Sequence, residues 1–238
     1  MQAGFFGKHP GFGDFITHGL PVPLREELET WLTATLARTK QHLGEVWEQV
    51  YDHARPVRFW IGPSVLTDPG ALRGVIWPCR DKVGRRYPMV MLAAETNPAP
   101  PPIAQDQSLY EDMEARLTEA LLSEARQPKE LMALEGLAQM GTPETDTLWA
   151  VNANAKTPDL IHAIGAADYT RAASTRSYWW SRADDLRSGA VWSCTGLPEQ
   201  QALAWLLSGV RMPPQDTTPD GDSPFIPDAD PVAEDNAL

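Results

Sequence analysis

Two apolar runs, Gly74 to Cys79 and Pro88 to Ala93, flank the charged, glycine-containing segment RDKVGRR at 80–86. No other feature limits the fold of this chain as strongly. Short runs rich in aromatic and β-branched residues on either side of a turn read as a β-hairpin, and its strands are antiparallel by construction. Further runs of this kind, bounded by glycine, proline or charge, lie around Phe5 and at Val57–Ile61, Thr147–Val151, Ser177–Ser181 and Ala190–Cys194. Three helical patterns are interspersed. From Pro23 to about Tyr51, Leu24, Leu28, Trp31, Leu32, Leu36, Leu43, Val46, Trp47 and Val50 recur at steps of three and four, the spacing of one helix face. Leu109, Met113, Leu117 and Leu121 mark a second helix over about 107–125, stopped by Pro128, and a third covers about 198–209. The expected class is α+β: a central, largely antiparallel sheet, with a mixed sheet left open, and helices packed on it.

Ten of the 22 prolines fall in two places, Asn97 to Pro102 and the stretch from Pro213 onward. The first reads as a stiff surface loop within one domain. From Arg211 to Leu238 there are six prolines and seven acids against one arginine, and from Pro213 on Phe225 and Ile226 are the large apolar residues before Val232. Such a segment buries too little surface to offset its ordering entropy, so a single domain over 1–210 and a disordered acidic tail over 211–238 are expected. The chain has 238 residues and a net charge of −12, and half of that excess lies in the tail. A polyanionic partner needs clustered lysine and arginine, so nucleic acid is not expected.

Cys79 and Cys194 are too far apart for a CxxC motif and too few for a disulfide framework. Both read as small buried hydrophobes. The N-terminus carries no basic and apolar leader, residue 2 is Gln, and no window approaches 18 apolar residues. A soluble cytoplasmic protein without membrane insertion is therefore expected.

The loop Gly7 to Leu20, GKHPGFGDFITHGL, concentrates glycine, Lys8, His9, Asp14 and His18 between a strand and the long helix. It is no phosphate loop, because Gln2 and His9 stand where GxxxxGK[ST] needs Gly and a hydroxyl. Nor is it a dinucleotide fingerprint, because Ile16 replaces the third small residue. His9, His18 and Asp14 lack the further ligands of a metal site, and neither GxSxG nor SxxK occurs. No catalytic set, cofactor or metal is expected. Arg80, Lys82, Arg85 and Arg86 form the dense basic patch of an acidic chain; an Asp14 carboxylate paired with Arg85 or Arg86 would join the loop to the hairpin. Trp179 and Trp180 are neighbours in a strand, so their side chains point to opposite faces and burial on both sides of the sheet is expected.

Three stretches together carry a resemblance: FFGKHPGFGDF, RGVIWPCRDKVGRRYPMVM, and SYWWS followed by CTGLP. They resemble, in order, the signature stretches of the TagF family of type VI secretion-associated proteins. The matching positions are Gly7, Lys8, Pro10, Gly13, Asp14 and Phe15; Asp81, Val83, Gly84, Arg85 and Pro88, with Arg86 beside them; and Trp179, Trp180, Gly196, Leu197 and Pro198. The likeness spans about residues 3–209. His9 departs from a common aliphatic residue and Cys79 from a small one. Some relatives are fused to a phosphatase domain, but no such extension follows residue 209 and that activity is not carried over. The resemblance implies a non-enzymatic regulator that represses type VI secretion after translation, by binding the forkhead-associated scaffold protein Fha. The alternative is a small-ligand-binding or hydrolytic domain using Gly7–Asp14 with Arg85. Forkhead-associated domains read phosphothreonine, and Thr217, with Asp220 three residues on, is a candidate phosphosite. The oligomeric state is left open.

Overall fold

The computed structural model describes residues 3–67, 70–94, 99–124, 127–132, 134, 156–184, 189–199 and 202. Seven strands form one sheet in the order β2-β1-β5-β4-β3-β6-β7: β1 Ala3–Gly7, β2 Ile16–His18, β3 Val57–Ile61, β4 Leu72–Trp77, β5 Met89–Ala94, β6 Arg176–Ser181 and β7 Ala190–Thr195. Every neighbouring pair is antiparallel. The hairpin read from the sequence is β4–β5, with Trp77 opposite Met89. The expected strand over 147–151 lies outside the described residues, as do most of the helix over 198–209 and the whole tail, including Thr217.

The sheet is covered on both faces, which accounts for the unbroken apolar runs of its central strands. Helix α1 (Val22–Leu43) and helix α2 (Trp47–Asp52) lay Leu24, Leu28, Leu32, Leu36, Trp47 and Tyr51 on one face, against Phe6, Phe59, Ile76, Val90, Leu92 and Trp179. Helix α3 (Ser108–Leu122) lays Tyr110, Met113 and Leu117 on the other, against Phe5, Val75, Met89 and Met91. In β5 the alternation is plain: Met89, Met91 and Ala93 face α3, while Val90, Leu92 and Ala94 face α1. The segment after the proline run turns at Pro100, whose carbonyl accepts the Ile103 and Ala104 amides, and leads into α3 on this same sheet.

Several expectations are corrected. The single helix from Pro23 to Tyr51 is two, because the chain enters a left-handed conformation at Gly44 (φ +54°) and makes a short 3-10 turn before α2. Val46, assigned to the apolar face, is consequently exposed. Strand β2 and helix α4 (Thr157–Ala172) were not expected. Both cysteines are half-buried rather than buried.

Candidate functional site

The Gly7-to-Leu20 stretch is a hairpin, with β1 and β2 joined by residues 8–15. Gly7 makes this possible. Its φ of +136° lies where side chains are rarely accommodated, and an added Cβ would overlap the Pro88 carbonyl oxygen. The chain therefore runs hard against Pro88 at the end of β5, and the Lys8 amide donates to the Pro88 carbonyl at 3.4 Å.

This approach brings the first two signature stretches together. Lys8 is buried, and its Nζ donates to Asp81 Oδ2 at 2.6 Å. Asp81 sits in the β4–β5 connection, where its Oδ1 accepts the Val83 and Arg85 amides at 3.0 and 2.8 Å and its Oδ2 also accepts Arg85 Nε at 2.6 Å. Arg85 Nη2 then donates to the Gly13 carbonyl, and the Lys82 amide donates to the Phe12 carbonyl at 3.0 Å. One buried carboxylate thus shapes the tip of its own hairpin and ties it to the glycine loop through two cations. Gly84 (φ +87°) closes the turn. Phe15 stands edge-on to Tyr87 with centroids 4.7 Å apart, and Lys8 Nζ lies 4.9 Å from the Phe15 ring.

The expected ion pair of Asp14 with Arg85 or Arg86 does not form; among the described residues Asp14 is exposed and in no ion pair. Arg85 is taken by Asp81, and Arg86 points the other way, as successive residues do in extended chain. Arg86 Nε and Nη2 meet Asp52 of α2 at 2.9 and 3.0 Å, and Nη1 meets Glu48 at 3.0 Å. Arg80 joins them, its Nε 3.0 Å from Asp52 Oδ1. The basic patch is thereby clamped on both sides, by Asp81 toward the loop and by Asp52 toward α2.

His9 is a structural group. Its Nδ1 accepts the Gly11 amide at 2.9 Å, so Nε2 carries the proton and donates to the Ala120 carbonyl of α3 at 2.6 Å. Both ring nitrogens are engaged. Among the described residues no three His, Cys, Asp or Glu converge as a metal set. The Cys79 thiol donates to the Lys8 carbonyl at 2.8 Å, and burial pushes its pKa up to about 12, so it stays protonated.

The third signature stretch lies apart. Strands β4 and β3 separate β6 from β5. Trp179 is fully buried on the α1 face, stacked on Phe59 at 4.9 Å and 5.2 Å from Trp31. Trp180 is half-buried on the α3 face, edge-on to Tyr110 at 4.8 Å. Two-sided burial is what the structure has. Beyond β7, Gly196 (φ +71°) turns the chain, Leu197 packs on the α1-side core and the Pro198 carbonyl accepts Trp31 Nε1 at 3.0 Å.

One group escaped the sequence reading. Arg58, in the apolar run VRFWI, is 2% exposed and grips Glu114 of α3 bidentately at 2.7 and 2.8 Å, with Nη1 on Gln107 at 2.9 Å. Gln107 Oε1 also accepts Trp180 Nε1 at 3.0 Å, so this network joins β3, β6 and α3. A lone arginine in an otherwise apolar strand is its only sequence signal.

Burial opposes the charge on Asp81, yet hydrogen bonds from Lys8 and from the Arg85 and Val83 amides hold its carboxyl well below the usual carboxylate range. Hydrogen bonds from Arg86, then Arg80, lower Asp52 to about 2. Both folded values lie below the unfolded value of about 3.9. The stability these pairs contribute is therefore complete above about pH 5 and lost as pH falls through the folded values. Urea midpoints taken from neutral pH down to about pH 2 are expected to decline throughout this acid window, and Asp52→Asn to flatten the decline; parallel profiles for the two proteins would contradict the assignment.

The fold and clamp define a class: an antiparallel sheet covered on both faces, in which a glycine-lysine loop and an Asp-x-Val-Gly-Arg hairpin hold each other. The family model described as "TagF N-terminal domain, Type VI secretion system-associated" matches residues 4–137, and the chain belongs to this family. The crystal structure of PA0076 from Pseudomonas aeruginosa PAO1 is similar over 95% of this chain and 100% of that one, at 27% identity and a TM-score of 0.70. No curated protein matches. Among the described residues no helix is long and apolar enough to cross a membrane.

Proposed function

We propose that this protein is a non-enzymatic, cytoplasmic regulator that represses type VI secretion after translation by binding the forkhead-associated scaffold Fha. The observation that carries the reading is the family match over residues 4–137, whose description ties the chain to type VI secretion. The site is consistent with a binding module. Its charged signature groups Lys8, Asp81 and Arg85 satisfy one another and shape a surface. The alternative, a ligand-binding or hydrolytic loop built on Gly7–Asp14 with Arg85, would need those cations for its ligand, and both are committed to Asp81.

Co-purification of the full chain with Fha at micromolar concentrations, together with reduced effector release on overexpression, is the expected result. No complex and unchanged release would refute the reading. The same preparation melted with nucleotides, phosphate and divalent metals tests the alternative, because a ligand at 100 times its dissociation constant stabilises by about 2.7 kcal/mol; flat melts are expected.

A further inference from the structure

A cleft of about 420 Å3 lies between the flank of α1 and the tip of the β4–β5 hairpin. Its floor is apolar, made by Leu36, Trp47 and Tyr87, with the exposed Val83 at its lip. Arg85 and Arg86 line its rim but are held by Asp81 and by Asp52 and Glu48, so among the described residues the lining cation outside the ion pairs is Lys40. Lys40, and Lys82 at the hairpin tip, are exposed and in no ion pair with any described residue. An apolar-floored cleft with these two lysines at its edge, on a chain of net charge −12, suits an acidic segment with a large apolar anchor.

The chain carries such a segment itself. In DGDSPFIPDAD, Phe225 and Ile226 are flanked by Asp220 and Asp222 on one side and Asp228 and Asp230 on the other. We infer that the cleft between α1 and the β4–β5 hairpin is the docking site of the chain's own acidic segment, with Phe225 and Ile226 on the apolar floor and the flanking aspartates on Lys40 and Lys82.

The connection is long enough. Trp31 holds the Pro198 carbonyl, so the chain leaves the described fold beside α1, and Ala202 is the last described residue. Lys40 is nine residues along the helix from Trp31, about 14 Å, and on the opposite flank of a cylinder about 10–12 Å across. Of the 23 residues from Ala202 to Phe225, the 16 beyond the helix expected to end at Gly209 can by themselves reach about 50 Å, more than this path requires. Such a tether supplies its end at a local concentration of about millimolar, so even weak docking is populated. The inference is independent of which partner the folded domain binds.

The test uses the full chain with a photoreactive phenylalanine analogue in place of Val83, an exposed side chain outside the ion pairs. The expected product is an intramolecular cross-link to the peptide around residues 220–230, at monomer mass and in a yield independent of protein concentration. Phe225→Asp with Ile226→Asp removes both apolar anchors and should lower that yield by at least about tenfold, and salt at about 0.5 M should lower it through screening. Amide exchange at residues 83–87 should accelerate in the same double variant, with an unchanged melting temperature showing that the domain is folded. Cross-links confined to a dimer would assign the cleft to a second copy and overturn the inference. So would a yield and exchange rates indifferent to the double substitution.

Discussion

Replacing Gly7 by alanine is expected to lower stability by about 4 kcal/mol, in the range that marks a named structural lesion rather than an ordinary substitution. Two effects add. The backbone φ of +136° strains any residue with a side chain. The new Cβ would also overlap the Pro88 carbonyl oxygen and lie 2.9 Å from Met89 Cα, both backbone atoms that cannot turn aside. Relief requires parting β1 from β5 where Gly7 pairs with Met89, which drags Lys8 from Asp81 and opens the clamp. For a domain of this size the melting temperature should fall by about 8–16 °C. Two further glycines of the same signatures calibrate the result. Gly13 has open space around its Cβ position and no positive φ, so Gly13→Ala should stay within about 0.5 kcal/mol. Gly84→Ala meets only the left-handed φ of +87°, worth about 1–2 kcal/mol. A Gly7→Ala protein that melts within about 2 °C of the parent would refute the close approach.

Trp179→Ala is expected to cost about 3–5 kcal/mol, the range for deleting a buried aromatic from a packed core. The indole has no exposed surface, stacks on Phe59, touches Trp31, and donates from Nε1 to Ser177 Oγ at 2.8 Å. Its loss leaves a cavity between α1 and β6 that neither rigid neighbour can fill. Trp180→Ala should cost less, about 2 kcal/mol, because that ring is half-buried and its hydrogen bond to Gln107 is replaceable by water. Denaturant unfolding of the pair decides the matter: equal losses would mean that the two faces of the sheet are covered alike at this position.

Elements bounded by glycine and proline were legible within one or two residues, because apolar runs between chain breaks have few ways to lie; Val57–Ile61 is β3 at both ends. The misses have particular causes. Ile16–His18 pairs only with β1, and its three residues are too few to show alternation. The break at Gly44 was masked because Trp47 and Val50 continue the three-and-four spacing across it. Helix α4 is helical without an apolar stripe: Ile161, Ile164 and Tyr169 are all exposed, so the pattern that reveals a packed helix is missing.

At the site, the loop and the basic hairpin were legible as partners, and the carboxylate joining them was not. Asp14 was the acid nearest the glycines in sequence. The joining acid is Asp81, because a hairpin turn aims two of its own amides at that carboxylate while burial of Lys8 leaves the ammonium one anion to meet. The sequence by itself determined the antiparallel hairpin, the apolar face of α1, the opposed directions of Trp179 and Trp180, and the family, all consequences of local backbone stereochemistry and residue order. Only the tertiary structure decided which charges meet: Lys8 with Asp81 across 73 residues, Arg58 with Glu114 across 56, Arg86 with Asp52 across 34. A buried charge must find its counter-ion wherever strand register and helix placement bring one within reach, and no local periodicity encodes that distance.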